Sequence, residues 1–204
     1  MSGADGRGAV FLAAAVPIGR DQALAAAVTG LARLDPELAP VDPAGLHVTV
    51  HFFGPLPASG QERAARVLRA VAAVHHPFDL TLAGLGAFPS WGRPRVLWLG
   101  CVEGDQHLLA IRRTGQAILA AHGFVPGAQP YRPHCTVARV RPACSPGLPA
   151  RLGAAGGWPD GRPRTFPVAE LRLMQSVNRP DGPAAYRTLV TAPLAGPRTD
   201  PPAA

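Results

Sequence analysis

Lysine is missing from this chain: all 20 basic residues among its 204 are arginine, against 13 acidic ones. In an Ala-, Pro- and Gly-rich composition this reflects a biased coding background, so the arginine count alone assigns no function. The sign of the net charge, +7, still favours phosphate-bearing partners, with ordinary solvated arginines as the alternative. Cysteine is scarce too. Cys101, Cys135 and Cys144 form an odd set without a Cys-x-x-Cys pair, which argues against a disulfide framework and for a reducing, cytoplasmic setting. No run reaches the roughly 18 apolar residues that a membrane span needs. "AVFLAAAVPI" imitates the core of a signal peptide, but acidic Asp5 precedes it and an amphipathic segment follows, so it reads as a first core strand.

A hydrophobic content of 47% is enough for a core. The length fits one domain or two small pseudo-equivalent lobes. The ends, 1–8 and 196–204, read as disordered tails around a single domain over 9–195. Segment 9–16 reads as a buried strand. Segment 20–34 reads as a helix with Leu24, Val28 and Leu31 at helical spacing. "DPELAPVDPAG" reads as a Pro-rich loop. Segment 46–53 alternates Val48, Val50 and Phe52 against His47, Thr49 and His51, a strand. Ser59 and Glu62 suggest a capping box for a helix over 60–74. Strands follow at 78–88 and 95–102, a helix at 105–122 with Gly123 at its C-cap, and a strand over "HCTVARV" (134–140). Residues 142–165 form a long, Pro- and Gly-rich connection. "FPVAELRLMQSV" and "AAYRTLVTAPL" read as a terminal hairpin turning at Asp181-Gly182. Each half thus holds strand, helix and strand, a duplication pattern with a cleft between two sheets.

The feature that carries chemistry is a repeated triplet. His47-x-Thr49 and His134-x-Thr136 lie 87 positions apart, each followed by Val and each within a strand pattern. On a strand, residues i and i+2 share a face about 6.5–7 Å apart. Each His therefore projects with its Thr, while Val48, Val50, Cys135 and Val137 go to the core. Two imidazoles and two hydroxyls facing one cleft suit phosphoester chemistry. A neutral His deprotonates a nucleophile, a protonated His protonates the leaving oxygen, and the hydroxyls donate to phosphate oxygens. No metal is required. The competing metal reading pairs His47 with His51, yet on a strand these lie about 13 Å apart, too far to share one ion. His51 is placed on the cleft face, as a substrate contact or simply exposed. Arg132, two residues before His134, is a candidate phosphate or sugar contact, with a rim salt bridge as the alternative. Trp91 and Phe88 flank a loop with two arginines and suit either base stacking or hydrophobic anchoring. Cys135, pointing away from its neighbours, reads as core packing.

"LHVTVHFFG", "AGLGAFPSWGRPRVLWLG", "YRPHCTVARV" and "LRLMQSV…DGPAAYRTL" closely resemble the 2H phosphoesterase superfamily. The nearest group is the bacterial RNA 2′,3′-cyclic phosphodiesterases, historically called 2′-5′ RNA ligases. The resemblance runs from about Val10 to Leu194. It implies a bilobal α+β fold of two pseudo-symmetric lobes, each with an antiparallel sheet and helices, and an active-site cleft between them. It implies His47 as proton donor, His134 as proton acceptor, and Thr49 and Thr136 as phosphate binders, with no cofactor. Members usually carry Leu in place of Cys135 and often Arg in place of His51, which bears on substrate preference. The implied substrates are RNA ends or nucleotides bearing a 2′,3′-cyclic phosphate, opened to a 2′-phosphate by a monomer, with weak reverse 2′-5′ ligation. Two alternatives stay open: the same scaffold acting on 2′-5′ oligonucleotides or ADP-ribose cyclic phosphate, and an RNA-end-binding module without turnover.

Overall fold

The computed structural model describes residues 8–17, 21–127, 130–141, 147–154, 161–177 and 185–196. Nine strands form one all-antiparallel sheet: β1 (Val10–Ala15), β2 (Leu38–Pro40), β3 (His47–Gly54), β4 (Phe78–Phe88), β5 (Val96–Glu103), β6 (His134–Val140), β7 (Arg164–Val168), β8 (Glu170–Val177) and β9 (Ala185–Pro193). The order is β7-β4-β5-β6-β3-β1-β8-β9, with β2 paired to the far half of β6. The architecture is α+β and bilobal. One half-sheet is β3-β1-β8-β9 and the other β6-β5-β4-β7, and they join where Val48 pairs with Cys135. The two expected sheets are therefore continuous through the motif strands.

Helices α1 (Gln22–Leu34), α2 (Ala58–Ala72), α3 (Asp105–Leu119) and α4 (Leu148–Ala154) complete the fold. Helix α1 buries Leu24, Val28 and Leu31, the periodic residues, and Asp21 caps it by accepting from the Leu24 amide at 3.0 Å. The cap of α2 is not the expected box. The helix begins after Pro57, without a side-chain cap, and Ser59 and Glu62 lie inside its first turns. Pro at that position presets φ and leaves one fewer orphan donor to satisfy. The main core gathers under the helices around Leu12, Val48, Leu68, Leu97, Ile111 and Leu173. A small second cluster of Phe11, Ala13 and Met174, with Tyr186 against it, lies on the opposite face of β1 and β8.

Three segments differ from the sequence reading. "FPVAELRLMQSV" is two strands on opposite margins of the sheet: β7 pairs with β4, whereas β8 pairs with β1. The connection 142–165 contains α4. The Pro-rich loop contains β2, an edge position that tolerates Pro40. Packed chain also reaches one residue further at the first end than the expected domain, since the Gly8 carbonyl accepts from Gln175 Nε2 at 3.2 Å. At the other end Gly196 N donates to the His75 carbonyl. Cys144, the Asp181-Gly182 turn and the outermost tails lie outside the described residues.

Candidate active site

The motif strands are neighbours because β3 and β6 are the innermost strands of the two halves. With Val48 opposite Cys135, antiparallel register sets His47 against Thr136 and Thr49 against His134. Val48 and Cys135 themselves are fully buried on the helix side. The four motif side chains therefore share the other face of the sheet, at its centre.

Each imidazole is held the same way. His47 Nδ1 donates to the Gly45 carbonyl at 2.8 Å, and His134 Nδ1 donates to the Arg132 carbonyl at 2.7 Å. A carbonyl can only accept, so Nδ1 carries the proton in both rings. Nε2 of each is left as the exchanging atom. The ring environments differ. His47 is only 8% exposed, stacked on Phe11 at 4.7 Å and met edge-on by Tyr186 at 4.7 Å. His134 meets Phe88 edge-on at 4.9 Å and Trp98 at 6.0 Å. Burial lowers the His47 pKa to about 4; the bond to Gly45 opposes this, and the His134 and Arg139 charges add to it. Burial also lowers the His134 pKa, against the bond to the Arg132 carbonyl, and the Arg132 charge adds to the lowering.

Both motif strands carry a bulge just after Thr. Between β1 and β3 the register passes from Ala13↔Thr49 to Leu12↔His51, leaving Val50 extra. Between β5 and β6 it passes from Trp98↔Thr136 to Leu97↔Ala138, leaving Val137 extra. An extra residue inverts the side-chain parity beyond it. This corrects the expectation for His51. It turns away from the cleft to the helix side, 2% exposed, with Nε2 donating to the Arg112 carbonyl of α3 at 3.1 Å. Gly115 of α3 makes room for it; a Cβ there would overlap His51 Nε2. Burial and the Arg112 charge lower its pKa to about 4. The same inversion takes Phe52 out of the core to 69% exposure on the cleft face, opposite Phe11. In β6 it brings out Arg139, whose charge reaches His47. Sequence reasoning missed Arg139, which strict alternation assigns to the core. The signal was an arginine inside "TVARV", where an unpaired guanidinium cannot be buried.

Arg132 is exposed just before β6, its guanidinium 4.6 Å from the Trp98 ring centroid. No described carboxylate pairs with it, so the rim salt bridge does not form among the described residues. Trp91 is 37% exposed, while Phe88 packs on Trp98 and His134. Cys135 is in the core as expected, fully buried with its thiol pKa pushed up mainly by burial. Among the described residues no group of three or more His, Cys, Asp or Glu is arranged to hold a metal ion, and no helix is long and apolar enough to cross a membrane.

The model of the 2′-5′ RNA ligase superfamily matches residues 20–180. The chain belongs to that superfamily. It is 35% identical over 150 residues to an RNA 2′,3′-cyclic phosphodiesterase of Aeropyrum pernix, covering 73% of this chain and 82% of that protein. A Geobacillus stearothermophilus protein of the same name is 32% identical over 150 residues, 74% of this chain but 46% of the relative. Among solved structures, a Thermus thermophilus protein superposes with a TM-score of 0.68 at 27% identity, covering 93% of this chain and 100% of that one. The fold and the superfamily membership are thus mutually consistent.

Proposed function

We propose that this protein opens 2′,3′-cyclic phosphates at RNA ends or on nucleotides, giving 2′-phosphates, with His47 as acid and His134 as base. The observation that carries the proposal is the pairing of β3 with β6, which sets two Nδ1-anchored imidazoles and two hydroxyls on one face. The names of the relatives, RNA 2′,3′-cyclic phosphodiesterases, support the substrate class. In this reading a cyclic phosphate sits between the two imidazoles. Water attacks phosphorus as His134 Nε2 takes its proton. The bond from phosphorus to the 3′-oxygen breaks, and His47 Nε2 protonates that oxygen. Charge that grows on the non-bridging oxygens meets the Thr49 and Thr136 hydroxyls, preorganised donors of the kind that stabilise such transition states. A 5′-hydroxyl in place of water forms a 2′-5′ bond by the same steps, so weak ligation without a nucleotide cofactor follows.

Neither proton transfer nor the hydroxyl donors call for a metal, and one chain supplies all four groups, which supports action as a monomer. The odd cysteine count, with Cys101 and Cys135 both free, supports a cytoplasmic setting. The test is turnover of adenosine 2′,3′-cyclic phosphate with EDTA present, the product read by phosphorus NMR. The expected product is adenosine 2′-phosphate. A 3′-phosphate would reverse the orientation of the ribose, and no turnover would reject the enzyme reading in favour of a binding module.

A further inference from the structure

We infer that Arg132 binds the backbone phosphate next to the cyclic one, so that RNA ends are preferred over single nucleotides. The inference rests on the phosphodiesterase reading and adds its substrate class. Arg132 is built into the site by both halves of its structure. Its carbonyl anchors His134, and its side chain folds back over Trp98, on the neighbouring strand β5 opposite Thr136. The indole is itself seated. It lies on Gly86 of β4, where any Cβ would overlap the ring, and Phe88 packs against it at 5.0 Å. Trp98 is 7% exposed whereas Arg132 is exposed. The guanidinium thus spends one face on a fixed platform and leaves its N–H edges to solvent. A planar fork held this way loses little freedom when it takes up a phosphate.

Its position argues for a second phosphate rather than the reacting one. The reacting phosphate would lie over β3 and β6, among the two imidazoles and two hydroxyls, with Arg139 the cation whose charge reaches His47. The Arg132 guanidinium stands over β5, displaced by about one strand spacing, roughly 5 Å. The next anion along an RNA chain is the phosphodiester of the neighbouring nucleotide. Among the described residues the other lobe offers no matching cation near its motif. Arg172, one strand beyond β1 on the cleft face, is held by Glu170 through Nε and Nη2 at 2.6 Å each. This asymmetry sends the RNA backbone over the β5 side.

The experiment compares kcat/KM for adenosine 2′,3′-cyclic phosphate with that for the dinucleotide ApA ending in a 2′,3′-cyclic phosphate, over a range of salt, in wild type and Arg132→Gln. Wild type should prefer the dinucleotide, and the ratio of the two should fall about tenfold or more in Arg132→Gln. The log–log salt slope for the dinucleotide should exceed that for the nucleotide by about 0.7, one phosphate contact, and the excess should vanish in the variant. Arg132→Lys should retain the salt slope but only part of the ratio, because the ammonium cannot present a stacked fork. Equal losses on both substrates would place Arg132 on the reacting phosphate or on His134 and overturn the inference, as would a ratio untouched by the substitution. If wild type turns over neither substrate, it is the phosphodiesterase reading that fails.

Discussion

Val48 and Cys135 form the register pair through which the two halves of the sheet join. On the buried side it packs both halves into one core; on the open side it aligns the two His-x-Thr motifs. Cys135 therefore reports on whether the halves stay joined. Its thiol is fully buried and burial disfavours the thiolate, the reactive form. Iodoacetamide should leave Cys135 unmodified in the native protein and label it only in denaturant, as read by peptide mass spectrometry. Rapid native labelling would mean that the seam opens and that the motif geometry is transient.

The four motif residues should separate by kinetics. His47→Ala and His134→Ala should each lose about 10²–10⁴-fold in turnover while remaining folded. The double variant should be little worse than the weaker single one, because the pair acts as a unit. Thr49→Val and Thr136→Val keep the shape and remove the hydroxyl. Each should lower kcat by about 1–4 kcal/mol of barrier if the hydroxyl meets charge that grows in the transition state. A rise in KM alone would assign them to ground-state binding.

His51 and Gly115 should behave as one packing unit. Gly115→Ala brings a gain in helix propensity of about 0.5–1 kcal/mol, yet its Cβ would overlap the buried imidazole, so the variant should lose stability in urea unfolding. In a double-mutant cycle, His51→Ala should recover part of that loss. Protonation supplies a second readout. The folded pKa of His51, about 4, lies below the unfolded value near 6.5. Its contribution is therefore complete above pH 6.5 and is lost as pH falls toward 4, up to about 3 kcal/mol. His51→Ala should flatten that acid-side decline. A decline of equal size in both proteins would assign it to other groups.

How legible these features were in the sequence follows from where alternation holds. β4 and β6 were bounded as observed because prolines mark their ends in the sequence: β4 lies between Pro77 and Pro89, and β6 starts after Pro133. His47, Thr49, His134 and Thr136 were legible because they precede the bulges. His51, Phe52 and Arg139 follow them. One extra residue at Val50 or Val137 inverts the faces; the arginine in "TVARV" hints at the inversion, but nothing in "TVHFF" marks it. The split at Ala169 was illegible for a related reason. A single alanine between β7 and β8 carries no turn signal, and only the tertiary pairing of β7 with β4 and β8 with β1 separates them. The second-lobe cation Arg132 was visible as a candidate, but its seat on Trp98 depends on Gly86 from β4, a contact without local trace in the sequence.

The depressed histidines set the pH dependence. The proposed reaction needs one proton on the pair, at His47, and none on His134. In the free protein the His47 pKa is about 4 and the His134 pKa is lowered from 6.5, so above pH 6.5 the pair empties. There kcat/KM should fall about tenfold per pH unit. Below the lower pKa a second proton occupies the base, and the rate should fall again. The maximum therefore lies on the acid side of 6.5, with limbs that belong to the pair jointly. A bound phosphate anion favours the imidazolium, so the alkaline limb of kcat should lie at higher pH than that of kcat/KM. A leaving group that needs no proton separates the two roles. On a p-nitrophenyl phosphodiester, His47→Ala should recover much of its activity and lose the alkaline limb, since no acid is required, while His134→Ala should not recover. Rescue of His134→Ala instead would exchange acid and base, and a kcat/KM that climbs through pH 8 would show that neither histidine works as the proton donor.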